Sequence, residues 1–210
     1  MKTVTTIIYS AFAMVAFLWL LPTAHAVSPA PDGGYANGNT AEGTNALFSL
    51  TTGGYNTANG WNSLHTLSTG SFNTAFGAAT LFSNTGANNT AAGTAALLLN
   101  TGDNNTATGA FALFSNTTGF QNTAVGAGTL YFNTAGANNT ATGDNALNFN
   151  TTGGNNTATG SGALANNTTG NFNTGVGEGA LFSNTADGNT ATGQAALFTI
   201  PPGSTTPPMV

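Results

Sequence analysis

The feature of this sequence that most constrains its fold is a short tandem repeat. The dipeptide Asn-Thr recurs at spacings of 16 or 17 residues, and ten such units run from Asn39 to about residue 199. The fifth position of every unit is Gly and the ninth is Leu, while the third is Ala except at Gly175. Self-similarity at so short a period indicates that one small structural unit stacks on the next along the chain.

A unit of this length fits one coil of a parallel β-solenoid. It is too short for two helices and a turn, and each Gly inside a helix would cost about 1 kcal/mol. We expect a short strand over Asn-Thr-Ala-x-Gly, a second short strand around Ala-Leu-Phe-Ser, and a turn at Asn-Thr-Thr-Gly. The predicted fold class is all-β, a parallel β-solenoid of ten coils over residues 39–200. A disordered Asn/Thr/Gly linker is the alternative, and ten Leu residues in phase argue against it.

In a stack of coils about 4.8 Å apart, equivalent residues lie on top of one another and form columns. We expect the ninth-position Leu column to be buried between two sheets, with the third-position Ala allowing the sheets to approach closely. Asn at the first and twelfth positions is expected to adopt left-handed turn conformations and to form amide ladders between coils. The predicted core residues are Leu47, Leu64, Leu81, Leu97, Leu113, Leu130, Leu147, Leu164, Leu181 and Leu197.

The tenth position of the unit is usually aromatic or apolar, from Phe48 to Phe198. Side chains alternate in direction along a regular strand, so the ninth and tenth residues cannot both face one interior. Either the chain bends and buries both, or the tenth column forms an outward stripe that a second subunit would cover.

The first 26 residues have the pattern of an export signal. Lys2 precedes an apolar run from Ile7 to Leu21, and Ala-His-Ala ends at a predicted cleavage site after Ala26. The apolar run is shorter than the roughly 20 residues that a membrane-spanning helix needs, so an N-terminal anchor is the less favoured alternative. We therefore predict a protein that is secreted or held at the cell surface, without membrane insertion of the mature chain.

After residue 26 the sequence contains six Asp or Glu residues and neither Lys nor Arg. A chain without cations cannot neutralise phosphates, so we expect no nucleic-acid binding and no adhesion to anionic lipid. The sequence also has no Cys, which excludes disulfides, thiolate nucleophiles and Cys-ligated zinc.

The predicted repeat region has a flank on each side. Residues 27–38 form a Pro/Gly-rich lead-in without the repeat signature, and residues 201–210 form a Pro/Thr-rich tail. Stacking should stop at Pro201 and Pro202, because Pro cannot donate a hydrogen bond to a next coil.

Residues that could support catalysis are few. His65 is the only His after residue 26, and it lies in the aromatic tenth column, where a stacking role is favoured over that of a catalytic base. The acidic residues at positions 103, 144, 178 and 187 fall in different coils, which weakens the case for paired carboxylates or a calcium cage. We predict no catalytic residue, no cofactor and no metal site, and hence a non-enzymatic protein.

The second and fourth positions of the predicted strand point the same way, which suggests a different class of function. Thr pairs repeated on a flat sheet can order water at an ice or crystal surface. The simpler explanation is that Thr favours strands. The candidate surface-binding Thr ladder consists of Thr106, Thr108, Thr140, Thr142, Thr157, Thr159, Thr190 and Thr192.

The repeat also resembles a known family. The unit Asn-Thr-Ala-Thr-Gly-Ala-Phe-Ala-Leu at residues 105–113, followed by Asn-Thr-Thr-Gly at residues 116–119, resembles the head repeats of YadA-type trimeric autotransporter adhesins. It is similar as well to Asn/Thr/Gly-rich repeats of phage tail-fibre-like and endosialidase-chaperone-bearing bacterial surface proteins. The resemblance covers residues 39–199 and implies a left-handed parallel β-roll, usually a trimer, used in adhesion or as a fibre. It also implies a homo-oligomer whose receptor is a host surface, an extracellular matrix or a glycan.

This chain departs from the family pattern in two respects. Family repeats usually carry an aliphatic residue at the fourth position, whereas here that position varies, as Glu42, Phe76 and Thr108 show. The residues after Thr199 contain neither coiled-coil heptads nor barrel strands, so self-export is not expected. We expect a non-enzymatic exported repeat protein acting in adhesion or extracellular structure, with ice- or crystal-surface binding as the alternative.

Overall fold

A computed structural model describes residues 35–199. The predicted signal peptide, residues 27–34 of the predicted lead-in, and residues 200–210 lie outside the described residues. Within residues 35–199 the only helical element is a three-residue 3-10 turn, Ala36–Gly38. No helix in this part of the chain is long and apolar enough to cross a membrane.

Ten strands of three residues form one parallel sheet and follow one another in chain order. The second-position Thr of each strand pairs with that of the next, as Thr40 does with Thr57 and Thr74 with Thr90, so a turn takes 17 or 16 residues. The predicted all-β parallel β-solenoid is confirmed, and the ten strands span nine complete turns. Two further short strands, β4 (Ser83–Asn84) and β6 (Leu99–Asn100), pair with each other in a separate parallel sheet. The strands of the large sheet are β1 (Thr40–Glu42), β2 (Thr57–Asn59), β3 (Thr74–Phe76), β5 (Thr90–Ala92), β7 (Thr106–Thr108), β8 (Thr123–Val125), β9 (Thr140–Thr142), β10 (Thr157–Thr159), β11 (Thr174–Val176) and β12 (Thr190–Thr192).

The second strand predicted around Ala-Leu-Phe-Ser is wrong for most coils. Among the described residues only β4, β6 and a bridge between Ser183 and Thr199 form regular strand pairs in that region, although backbone groups still bond between coils, as the N–H of Leu113 does to the carbonyl oxygen of Thr129 at 2.9 Å. The chain turns instead, because the ninth-position Leu has a left-handed φ of 49° to 55° in all ten coils. That conformation costs a non-Gly residue about 1–2 kcal/mol. Burial of a Leu side chain contributes about 1.5–3 kcal/mol, which offsets the cost of the turn.

The core consists of two columns of small residues beside the Leu column. Third-position Ala and eighth-position Ala pack with the Leu side chains, and Ser63, Thr80 and Thr129 at the eighth position are buried as well. The repeat pattern alone does not predict burial of this eighth column. Eight of the predicted core Leu residues are fully buried and Leu47 is 5% exposed, as expected. The prediction is wrong for Leu197, which is 43% exposed because no described coil stacks on its far side.

Two columns of buried Asn connect the coils by amide ladders, as predicted. In the first column, Nδ2 of Asn122 donates to Oδ1 of Asn105 at 3.2 Å and to the carbonyl oxygen of Gly136 at 2.8 Å. Oδ1 of Asn122 accepts from the backbone N–H and from Nδ2 of Asn139, at 3.0 and 3.1 Å. The amide therefore uses its full hydrogen-bonding capacity inside the stack, so its burial leaves no polar atom unsatisfied.

The twelfth-position column repeats this arrangement. Nδ2 of Asn133 donates to Oδ1 of Asn116 at 2.6 Å, and Nδ2 of Asn150 donates to Oδ1 of Asn133 at 2.7 Å. The left-handed conformation expected for both columns is wrong, since none of these ladder residues has a positive φ. The left-handed residue is the one just before the first column, such as Asn138 with a φ of 58°. The turn is thus made by a residue outside the ladder, Asn in some coils and Tyr55, Phe72 or Gln121 in others, and the ladder Asn points inward.

The described end of the lead-in continues the coil pattern, although its sequence lacks the repeat signature. The backbone N–H of Tyr55 donates to the carbonyl oxygen of Asn37 at 2.9 Å. Nδ2 of Asn39, the first residue of the first Asn ladder, donates to the carbonyl oxygen of Ala36 at 2.6 Å. Residues 36–38 therefore stack on the first coil and cap the ladder.

Candidate surface-binding site

The outward side of the ten-stranded sheet carries the candidate Thr ladder. In each strand the middle residue is buried, while the second and fourth positions of the unit are partly or fully exposed. The eight candidate Thr residues therefore lie on one face. Thr140 and Thr142 of β9 lie directly beside Thr157 and Thr159 of β10.

The second-position column is more continuous than the candidate pairs alone, whereas the fourth-position column has the interruptions that the candidate pairs imply. Thr occupies the second position of the unit, the first residue of the strand, in all ten strands of the sheet, so Thr123 and Thr174 fill the gaps between the candidate pairs. In the fourth-position column, Val125 and Val176 interrupt the Thr residues. We call the outward side of β7 to β12 the β-branched face, because every outward residue on it is Thr or Val.

The β-branched face presents its methyl and hydroxyl groups at nearly fixed spacings. Neighbouring strands lie about 4.8 Å apart, and alternate residues along a strand lie about 6.6 Å apart. β-Branched side chains have few χ1 rotamers, so the groups they carry are held in place. The face does not extend to β1, β2, β3 and β5 of the same sheet, where the fourth position of the unit is Glu, Asn, Phe and Ala, respectively.

The tenth column forms an outward aromatic stripe, the second of the two expected alternatives. Phe48, His65 and Phe82 stack with ring centroids 5.2 and 5.1 Å apart, and Phe114 stacks on Tyr131 at 4.8 Å. The predicted stacking position of His65 is therefore confirmed, with its ring within 14° of parallel to both neighbours. Leu98, Asn148 and Ala165 interrupt the stripe, and its inner rings are half-buried, whereas Phe48 at one end is 69% exposed and offers aromatic surface to a partner.

Two of the acidic side chains accept hydrogen bonds from the backbone of the preceding coil. Oδ1 of Asp103 accepts from the backbone N–H of Ala87 at 2.8 Å, and Oδ1 of Asp187 accepts from that of Asn171 at 2.7 Å. Within residues 35–199 no group of three or more His, Asp or Glu side chains is placed to hold a metal ion.

No protein-family model, curated protein or solved structure matches this chain. Its surface combines repeated Thr columns, stacked aromatic rings and very few charges.

Proposed function

We propose that this chain is an exported, non-enzymatic repeat protein that acts through its surface, in adhesion at a cell surface or as an extracellular structural element. The observation that carries the proposal is the recurrence of outward side chains in columns, with Thr at the second position of the unit in all ten strands of the large sheet. Many weak contacts at fixed spacings add up to strong attachment, because each contact raises the effective concentration for the next. The signal-like residues 1–26 support export.

The apolar surface of the first coils supports a role in binding. Phe48, Tyr55, Trp61, Phe72 and Phe76 are each 58–69% exposed. Tyr55 and Phe72 stack with centroids 5.2 Å apart, so these rings are held in position before any partner arrives. Exposed aromatic rings offer contact area to a partner, and pre-ordered side chains lose less entropy on binding.

We further propose that copies of the chain associate, as the resemblance to trimeric adhesin heads implies. A second copy could cover the aromatic stripe without burying a charged pair, since residues 27–210 contain no Lys or Arg. Each copy has its own core, because the Leu column and the Asn ladders are buried within one chain. Association would therefore join folded rods, and sedimentation equilibrium of residues 27–210 should give three times the monomer mass. A monomer at all concentrations would contradict the proposed association.

Adhesion is tested by the retention of beads coated with residues 27–210 on epithelial cells and on collagen- or mucin-coated surfaces under flow. A matched variant lacks residues 56–88, two whole coils, so the columns shorten while the coil register is kept. Retention should fall more than in proportion to the length removed, because simultaneous contacts multiply. Equal retention of coated and uncoated beads on every surface, with no self-association, would contradict the proposed function.

The β-branched face supports a second candidate function, binding to ice or another crystal surface. It is uncharged, its strands pair in register, and its outward groups repeat at strand spacing. The purified protein should then show thermal hysteresis and inhibit ice recrystallisation. Thr142→Lys combined with Thr159→Lys should remove both activities, whereas Thr57→Lys, on an N-terminal strand outside the face, should leave them unchanged. Absence of both activities in the unaltered protein would exclude this candidate.

A further inference from the structure

The seventh column of the repeat contains a notch at Gly128. All ten seventh-position residues have a left-handed φ, and the neighbours of Gly128 in this column are Phe111 and Asn145. The missing side chain opens a cleft of about 380 Å³ between them. A Cβ atom at Gly128 would lie 2.5 Å from Oδ1 of Asn145, so a side chain at this position would fill the cleft.

One side of the Gly128 cleft is aromatic. Phe111 and Phe132 are 44% and 42% exposed, and both contact Tyr131, with ring centroids 6.4 and 4.6 Å away. Tyr131 stacks on Phe114 with one face. On its other side the tenth column continues with Asn148, so among the described residues no ring is stacked on that second face.

The other side of the cleft is polar and rich in hydrogen-bond acceptors. Nδ2 of Asn145 donates to Oδ2 of Asp144 at 2.8 Å. Nδ2 of Asn148 donates to Oδ1 of Asn145 at 3.0 Å and to the carbonyl oxygen of Gly128 at 2.8 Å. These bonds fix the orientation of both amides. Within residues 35–199 they leave Oδ1 of Asp144 and Oδ1 of Asn148 without a hydrogen-bond partner.

We propose that the Gly128 cleft binds a neutral sugar ring, an inference that rests on the proposed function of the chain as a surface-binding rod. The C–H face of a pyranose carries partial positive charge and packs on the negative face of an aromatic ring, here Tyr131 or Phe111. Sugar hydroxyls donate to the acceptor atoms of Asp144 and Asn148. An anionic sugar is disfavoured, because the cleft contains a carboxylate and residues 27–210 contain no cation.

The test is saturation-transfer difference NMR on residues 27–210 with the methyl glycosides of glucose, galactose and N-acetylglucosamine, and with glucuronate as the anionic comparison. At least one neutral glycoside should bind with a dissociation constant of about 1 mM, as expected for a ligand of this size in an open cleft. Gly128→Asn should weaken binding at least about tenfold by filling the notch. Asn is compatible with the backbone here, since Asn45 and Asn62 occupy the same position with φ values of 61° and 56°.

The matched control is Gly162→Asn, the same change at the same position two coils away. Gly162 has a φ of 64° and lies outside the cleft, with its Cβ position 3.5 Å from the Phe182 ring, an ordinary contact distance. This variant should bind the sugar as the unaltered chain does. The proposal is overturned if no neutral sugar binds, if Gly128→Asn binds as well as the control, or if glucuronate binds equally.

The bead assay separates failure of the site from failure of the rod's function. Free neutral sugar should reduce the retention of beads coated with the unaltered chain. Beads coated with Gly128→Asn should be retained less by that same amount, and free sugar should not reduce their retention further. Retention that neither the sugar nor Gly128→Asn reduces would overturn the sugar site and leave the adhesive function standing. Sugar binding in solution without retention on any surface would overturn the adhesive function.

Discussion

The coil at residues 105–121 and the last described coil, residues 189–199, begin with the same five residues, Asn-Thr-Ala-Thr-Gly, but their environments differ. Leu113 in the first is fully buried, whereas Leu197 in the second is 43% exposed. At Gly109 an added Cβ would lie 2.5 Å from the carbonyl oxygen of the next coil's Gly126. At Gly193 the nearest described atom would be 3.8 Å away. The motif therefore does not make a core by itself, because each coil is completed by its neighbour.

The largest single loss of stability is expected at the fifth-position Gly. Gly109 has a φ of 132°, and Gly109→Ala adds a backbone overlap that no side-chain rotation can relieve. The backbone strain costs about 1–3 kcal/mol and the overlap about 1–3 kcal/mol, so the variant should lose about 2–6 kcal/mol. Gly193→Ala should lose only the free energy of the backbone strain, about 1–3 kcal/mol. Urea unfolding of residues 27–210 followed by circular dichroism measures both, and equal losses would contradict the role assigned to the neighbouring coil.

The Leu column should show the next largest loss. Leu113→Ala leaves a cavity that the backbone ladders on either side keep from collapsing, and it should cost about 2–5 kcal/mol. Leu197→Ala removes a side chain that is already partly in water, and it should cost only about 1 kcal/mol. The same unfolding experiment compares them. Equal and small losses would mean that the Leu column is not the core.

A third, smaller effect isolates the left-handed backbone of the Leu column. Leu113→Met and Leu113→Ile both nearly conserve volume, but Ile is β-branched and fits a φ of 50° poorly. Leu113→Met should cost less than about 1.5 kcal/mol, and Leu113→Ile about 1–3 kcal/mol more, from the strained conformation. Equal unfolding midpoints for the two variants would contradict the left-handed turn and favour the strand that the repeat pattern predicts there.

Periodicity predicts the columns of this fold well, because stacking places equivalent residues together whatever the path of the chain between them. Burial of Leu113 and the amide ladder through Asn122 follow from the repeat alone. The path within a coil does not follow from it. Leu is uncommon in a left-handed conformation, so nothing in its residue type marks the turn at Leu113. Burial of the Leu side chain offsets the conformational cost of that turn.

The candidate site shows the same limit in a different way. The outward Thr ladder follows from the alternation of side chains along a strand, so the sequence predicts it. The Gly128 cleft depends on which residues occupy neighbouring coils, since Gly128 becomes a notch only between Phe111 and Asn145. The seventh position varies from coil to coil, and a search for recurring residues discards that variation.

The smallest expected effect is on the β-branched face, where the middle coil and the last described coil should behave alike. Thr108 and Thr192 both occupy the fourth position and both are exposed, so neither depends on a neighbouring coil for its burial. Replacement of either by Ala should change the free energy of unfolding by less than about 0.5 kcal/mol, as for most surface sites. Measurement at protein concentrations above and below the association range makes this comparison informative. Thr108→Ala could instead reduce the free energy of unfolding as much as Leu113→Ala does, and only in the associated state. That result would place the β-branched face inside the interface between copies and would exclude it as an ice-binding surface.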